Sequence, residues 1–359
     1  MRPRILTFYI ARQFSLTLAL VLAGVATVIF LADYVEVLRR FSDETGFTAP
    51  LGLQLALLRV PFLLDEVLPF AFLFAALLSL LGLSRKLELV VARASGVSVW
   101  GFLRAPFAVA LLFGAAAAAL LNPVAVQMKA VANNIEAELA GSSRRDDGGH
   151  WFRQEGVGGS SIVHSGSVRN DGLTLFGVTA FVFSDLGRFE EKITATRADF
   201  ANGRWVLADA EVLTASRAPT RLARYELPTE LTAEELGRSV VRPSALSLWS
   251  LPSFLAIAER TGLNADRFRL AFHGLLNRPL FLMAMVTIAA TVSLRLTRYG
   301  GTRRLALTGV AAGFLLYVLT EIASDLGGNG IISPVLAAWL PPIVALTFGA
   351  TTLLFQEDG

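Results

Sequence analysis

The chain has 359 residues, 54% of them apolar and only 17% charged, with a formal net charge of +3, a pI near 9.5 and a mean hydropathy of +0.57. A soluble domain carries about 25% charged residues, so this composition excludes an ordinary soluble enzyme. The basic residues are nearly all Arg and many flank apolar runs, where they orient a chain in a bilayer rather than bind nucleic acid. Cysteine is absent, which excludes a disulfide framework, a thiolate nucleophile and a Cys-based metal site.

In chain order, the N-terminal MRPRILTFYIARQF lacks a small-residue cleavage site after a short apolar core. The run that follows is therefore read as a retained first helix. A spanning helix needs roughly 20 apolar residues, and the first candidate is Phe14–Tyr34. The second lies within Leu51–Leu83, with Pro61, Asp65, Glu66 and Pro69 in its first half. Its membrane-crossing part is expected from Pro69 to Leu83, with the acidic pair at the outer interface. The third is Gly101–Leu121, rich in Ala, which permits close helix packing. A long polar stretch precedes the fourth, fifth and sixth candidates, Phe272–Leu294, Leu305–Leu326 and Pro334–Phe355.

The charges test this division. Arg2, Arg4 and Arg12 precede span one; Arg85, Lys86, Arg93 and Arg104 follow span two; Arg295, Arg298, Arg303 and Arg304 follow span four. With six spans, all three clusters fall on one side. The positive-inside rule makes that side cytoplasmic and puts both termini there, leaving the long polar segment outside.

That segment reads as β. DGLTLFGVTAFVFSD is β-branched and aromatic and follows Asn170-Asp171-Gly172; Asn202-Gly203 separates two further strand-like pieces, a strong hairpin signal. Strands punctuated by turns, with no helical pattern between, predict an antiparallel sandwich or jelly roll. Ser250-Leu251-Pro252 then opens a short helix that Gly262 closes, and Asn264 caps the next.

Between spans two and three lies SRKLELVVARASG, residues 84–96. At 100° per residue, Leu87, Val90, Val91 and Ala94 share one face and Arg85, Glu88, Ala92, Arg93 and Ser95 the other. Ser84 is expected to cap this short amphipathic helix and Gly96 to end it. It lies passively in the membrane interface or inserts its apolar ridge into a partner's groove. Glu88 favours the partner, because an acid gains nothing from an anionic leaflet but pairs with an Arg.

RKLELVVARASGVS resembles the coupling helix of the LptF/LptG permeases, the membrane subunits of the lipopolysaccharide exporter. VPFLLDEVLPFAFLFAALLSLLGLSRK is similar to that family's second span, ALSLWSLPSFLAIAERTGLNADRFRLAFHGLLNRPL to the approach to its fourth, and GFLLYVLTEIASDLGGNGIISPVLAAWLPPI to its fifth and sixth. ELVVARASG and ALSLWSL resemble the LptG branch more than the LptF branch. The resemblance covers most of the chain and is weakest in the β segment.

The resemblance implies a polytopic α-helical membrane protein of six transmembrane helices with an inserted periplasmic antiparallel β-jellyroll domain. The divisions are then 1–140 for spans one to three, with the coupling helix near 84–96, 141–250 for the jellyroll and 251–359 for spans four to six. It also implies a permease subunit that extracts lipopolysaccharide from the Gram-negative inner membrane and passes it to the periplasmic bridge. The implied partners are a paralogous LptF-like permease, a dimeric LptB-like cytoplasmic ATPase and an LptC-like membrane-anchored periplasmic protein. Arg85, Leu87, Glu88, Val91, Arg93 and Gly96 become the ATPase-coupling set. The chain shows no H-E-x-x-H, G-x-S-x-G or G-x-x-x-x-G-K-[ST] motif, so energy for transport must come from a partner, and no cofactor is expected.

Other residues carry competing readings. Arg39 and Arg40, just outside span one, are either an exposed loop or, with their planar forks, contacts to lipid head-group phosphates. Asp33 stands where relatives of the LptG branch are expected to carry a basic residue. Arg278, before Pro279 in an apolar span, costs about 2.5–3.5 kcal/mol at a helix centre. It snorkels outward, faces a cavity near lipid phosphates, or pairs with Asp65 or Glu66. His150, His164 and His273 are isolated, and Asp146-Asp147-Gly148-Gly149-His150 reads as a solvated loop before a metal cluster. The rival readings of the whole chain are the LptF paralogue, a membrane-anchored periplasmic sensor with a ligand-binding β domain and, more weakly, an intramembrane enzyme.

Overall fold

The computed structural model describes residues 3–42, 46–85, 88, 91, 96–139, 150–156, 159–169, 173–184, 188–201, 203–214, 219–229, 243–261, 265–294 and 302–358. The chain divides into two compact units, Met1–Glu136 with Pro243–Gly359, and Ala137–Arg242.

The first unit is helical. Helix α1 is Pro3–Phe41, α2 Ala49–Arg85 and α3 Val99–Ala116; a π-helical turn at Ala117–Leu121 leads into α4, Asn122–Leu139. After a 3-10 turn at Pro243–Ala245 come α5 (Leu251–Thr261), α6 (Ala265–Ser293), α7 (Thr302–Gly328) and α8 (Pro334–Asp358). Six helical segments among the described residues are long and apolar enough to span a membrane: Ile5–Phe41, Ala49–Ser84, Val99–Glu136, Ala265–Ser293, Leu305–Gly328 and Pro334–Gln356. The six expected spans are thus present, and the helices run past the apolar windows. In lipid every backbone group must be satisfied within the segment, so helices continue through polar flanks that hydropathy does not mark.

Pro69 does not begin a helix: α2 is one 37-residue helix that runs from Ala49, with Pro61 and Pro69 inside it. Each Pro removes one N–H from the ladder without ending the helix, as spans tolerate. Ser84 does not cap a new helix either, because α2 continues through it to Arg85.

The π turn at Ala117–Leu121 is held from outside. The Trp249 indole donates to the Ala119 carbonyl at 2.9 Å, and the Asn122 side chain accepts from the Leu248 N–H at 3.1 Å. A wide turn leaves carbonyls that the ladder does not use, and ALSLWSL supplies the donor. The expected helix after Ser250 is α5, with Pro252 in its first turn, where a missing N–H costs nothing. Gly262 and Asn264 lie outside the described residues.

The apolar core of this unit joins α1, α2, α3, α6 and α7 through Phe14, Phe72, Leu73, Ala110, Met285 and Leu316. A second cluster collects Ile10, Leu83, Val99, Leu294 and Leu353. These mark the start of α1, the end of α2, the start of α3 and the ends of α6 and α8, all gathered at one end of the bundle. That is the end where the sequence places its Arg clusters.

Among its described residues the second unit holds one six-stranded antiparallel sheet in the order β1-β2-β3-β4-β5-β6. The strands are His150–Gly156, Gly159–Arg169, Thr174–Ser184, Phe189–Ala201, Arg204–Thr214 and Thr220–Pro228. Connectivity is a simple meander, and the expected hairpin joins β4 to β5, with Ala201 opposite Arg204 and Gly203 at φ +72°; Asn202 lies outside the described residues.

The sheet nevertheless curls so that its first strand approaches its last two. The buried positions of the three central strands step out of period two along one line: Leu175 then Val178, Ala198 then Ala195, Leu207 then Ala210. Pairing register is constant across that line. Gly177 (φ +61°) and Asp209 (φ +53°) lie on it in left-handed conformation. A left-handed residue turns a strand sharply, so both halves keep their apolar side inward. The Trp205 indole then reaches across to Gln154 on β1 at 3.0 Å, both side chains buried. The ends of β1 and β6 approach so closely that a Cβ on Gly156 would lie 2.6 Å from the Pro228 carbonyl oxygen. Tyr225 donates to Glu191; burial first, and that carboxylate second, push its phenol above the ordinary tyrosine range.

Candidate functional site

Charged residues of the helical unit gather at two levels. At the end that holds the Arg clusters, Glu88 is helical and part-buried, and the Tyr9 hydroxyl hydrogen-bonds its carboxylate. Val91 is helical and 67% exposed, so its apolar side chain faces outward. Gly96 is an exposed turn residue at φ +85°, and Ser98 caps α3 by accepting from the Gly101 N–H at 3.3 Å. Arg85 is the last residue of α2. Leu87 and Arg93 lie outside the described residues.

Toward the opposite end, Arg278 on α6 pairs with Asp65 on α2; the two side chains are 19% and 13% exposed. Its placement follows from packing. Gly114 on α3 lies so close to Pro279 that an added Cβ would sit 2.6 Å from the Pro279 Cα. Glycine there lets α6 approach α3, which fixes the backbone next to Arg278. Glu66, one residue after Asp65, is exposed.

Nearer the end of α1, Asp33 is 3.5 Å from Arg59 on α2, and the other amino group of Arg59 is 3.3 Å from Glu136 on α4. One cation thus bridges two carboxylates from two other helices. Arg39 pairs with Glu36 at 2.8 Å, and the Arg40 guanidinium lies 5.5 Å from the Phe41 ring centre; both Arg side chains are exposed.

The sequence-predicted residues therefore do not form one site. Arg39 and Arg40 share the end of α1, Arg278 is held by Asp65, and Glu88 is at the far end of the bundle. Arg59, Glu136 and Tyr9 were not singled out from sequence. Arg59 interrupts an apolar run, and an ionisable residue within a span is by default a functional candidate, so that signal was present. Tyr9 and Glu136 acquire meaning only from what they face.

The family model described as "Lipopolysaccharide export system permease LptF/LptG" matches residues 8–354. The chain is 27% identical over 350 residues to the lipopolysaccharide export system permease protein LptG of Escherichia coli K12, covering 94% of each chain. It is 29% identical over 119 residues, 32% of each chain, to the protein of the same name from Haemophilus influenzae. Six helices long and apolar enough to span a membrane, with an antiparallel sheet inserted in sequence between the third and fourth, agree with a membrane permease, and the chain belongs to the LptF/LptG family of lipopolysaccharide export system permeases.

Proposed function

We propose that this chain is the LptG-type half of a heterodimeric inner-membrane permease, driven by a separate cytoplasmic ATPase dimer. The termini and the Glu88 segment face the cytoplasm, and the β unit faces the periplasm. The paired half is an LptF-like chain, and an LptC-like protein receives lipopolysaccharide from the β unit. The observation that carries this reading is the Glu88 segment. It presents Val91 outward beside an acid, between two spans, in a chain with no ATP-binding motif. Arg85, Leu87, Glu88, Val91, Arg93 and Gly96 form the coupling set. The Tyr9 contact ties Glu88 to the start of α1, so a push on the segment reaches the first span directly.

Arg39 and Arg40 are the exposed guanidinium groups at the outer end of α1 and meet head-group phosphates; Glu36 must release Arg39 first. Arg278 meets a phosphate only by leaving Asp65, which makes it a contact of a different conformation from the one described.

The test is purification of the chain from its native membrane in mild detergent, followed by identification of what accompanies it. An ATPase in two copies, a paralogous six-span chain and bound lipopolysaccharide are the expected result. Elution alone or with a signalling protein, free of glycolipid, overturns the reading. Within the complex, Glu88→Lys is expected to release or uncouple the ATPase while the chain stays folded; retained assembly with full lipid-stimulated ATP hydrolysis contradicts the coupling role.

A further inference from the structure

In an α-helix each carbonyl accepts from the N–H four residues on, and a proline at that place leaves it without a donor. Two such carbonyls are met by side chains from elsewhere in the chain. The Ala338 carbonyl stands four residues before Pro342 and accepts from the Asn277 side chain at 2.5 Å. The Ala119 carbonyl stands four residues before Pro123 and accepts from the Trp249 indole at 2.9 Å. The first arrangement is sealed, with Asn277 only 4% exposed. The second is open, with Trp249 69% exposed.

The second also stands at a break in helix geometry. The Pro123 ring crowds the carbonyl four residues before it, and the helix widens: the Asn122 N–H bonds to the Ala117 carbonyl, five residues back. Prolines and single π turns are where helices bend, and π turns recur at functional sites. Beyond the turn, α4 meets α2, where Lys129 lies over the Phe62 ring at 3.2 Å and Glu136 is 3.3 Å from Arg59. Against the turn lies the segment 246–251. Leu246, Leu248 and Leu251 are buried, which fixes the backbone on either side of Trp249, and the Leu248 N–H donates to Asn122. In sequence, α4 leads into the second unit and this segment returns from it. The outgoing and returning connections are thus fastened to each other at the π turn.

We propose that the π turn is a joint in the third span, locked by the Trp249 indole and the Asn122 side chain, and that it unlocks as the permease works. Two neutral hydrogen bonds, one of them made by an exposed ring, are a weak lock. With the lock closed, α4 points at α2. With it open, α4 swings about Pro123 and parts from the 246–251 segment. The joint and its lock stand on the geometry alone; their use in transport rests on the permease reading.

Hydrogen exchange of the purified full chain, read by mass spectrometry over residues 117–124, tests the lock. Trp249→Phe keeps an aromatic ring and removes the donor, and is expected to raise exchange there about tenfold, the worth of one hydrogen bond. Pro123→Ala gives the Ala119 carbonyl a donor within the helix, so adding Trp249→Phe to it is expected to change nothing further. An unchanged rate in Trp249→Phe overturns the lock. An equal rise in both backgrounds does the same, because the ring then acts by packing alone.

Spin labels test the joint. The chain has no cysteine of its own, and Leu57→Cys on α2 and Val131→Cys on α4 replace exposed side chains. One distance is expected with Trp249 in place and a second, longer one with Trp249→Phe; identical distributions overturn the joint. In the complex with the ATPase, turnover of ATP is expected to bring out that second distance with Trp249 in place. A distribution that turnover leaves unchanged overturns the use of the joint in transport. Absence of any ATPase partner defeats the permease reading instead, and the exchange and label results still decide the lock and the joint.

Discussion

Arg278 and Asp65 sit within apolar helices, and each neutralises the other. Removing one partner of such a pair leaves an uncompensated charge and typically costs about 3–5 kcal/mol. Both side chains retain some exposure, which places the expected loss at the lower end of that range. Arg278→Leu should therefore lower the unfolding temperature of the purified protein, and Arg278→Leu with Asp65→Leu should recover most of the loss. A double variant no more stable than the single one would show that the pair is not what holds these helices. From sequence, Arg278 stood out as a charge at an expensive depth, and Asp65 was one of several partners open to it. The choice between snorkelling, lipid contact and pairing needed the face of α2 that meets α6. The same holds for Asp33. Its departure from the expected basic residue was visible, but the cation that answers it, Arg59, comes from another helix.

At the scale of elements, glycine and proline set where helices touch. Pro279 frees a carbonyl within α6, and Gly114 on α3 supplies a surface without a side chain against it. Substitution by a branched side chain forces the two helices apart. Gly114→Val is expected to destabilise the protein by about 1–3 kcal/mol through overpacking and to weaken the Arg278–Asp65 pair beside it. Thermal unfolding of the purified chain measures the first effect; wild-type stability would mean that the helices can separate at no cost. In the sheet, strand identity and the Asn202-Gly203 hairpin were legible from β-branched runs and turn residues. The fold line through Gly177 and Asp209 was not, because an alternation that slips by one residue looks in sequence like two imperfect strands. The π turn was equally hidden: Ala117–Leu121 reads as plain apolar helix, and its outside donor, Trp249, is far away in sequence.

At the scale of the molecule, the six apolar windows are unequally covered. Those of α2 and α6 are 56% and 50% buried, whereas those of α1, α7 and α8 are only 11%, 17% and 22% buried. Leu20 on α1 and Phe348 and Phe355 on α8 are about three-quarters exposed. Lipid covers such faces without specificity, and the second permease chain proposed above would cover part of them with packing. A partner that binds only the folded state stabilises it by mass action, about 2.7 kcal/mol at a hundred times Kd. The protein purified with its paralogue is therefore expected to unfold several degrees higher than the chain alone, in the same detergent and lipid. Identical unfolding temperatures would mean that the exposed faces are lipid-facing and that the partnership adds no contact.

The sequence by itself determined the span count, the shared side of the Arg clusters, the inserted β segment and the family. Each of these depends on composition or periodicity within one segment, where apolar length against bilayer thickness and turn chemistry decide the outcome locally. Tertiary structure alone decided which charges are paired, which helix Arg59 serves, what satisfies the π turn and how a meander buries one apolar side. Those depend on groups tens to hundreds of residues apart meeting in a medium of low polarity, where an ion's meaning is fixed by the charge opposite it, and no single segment carries that information.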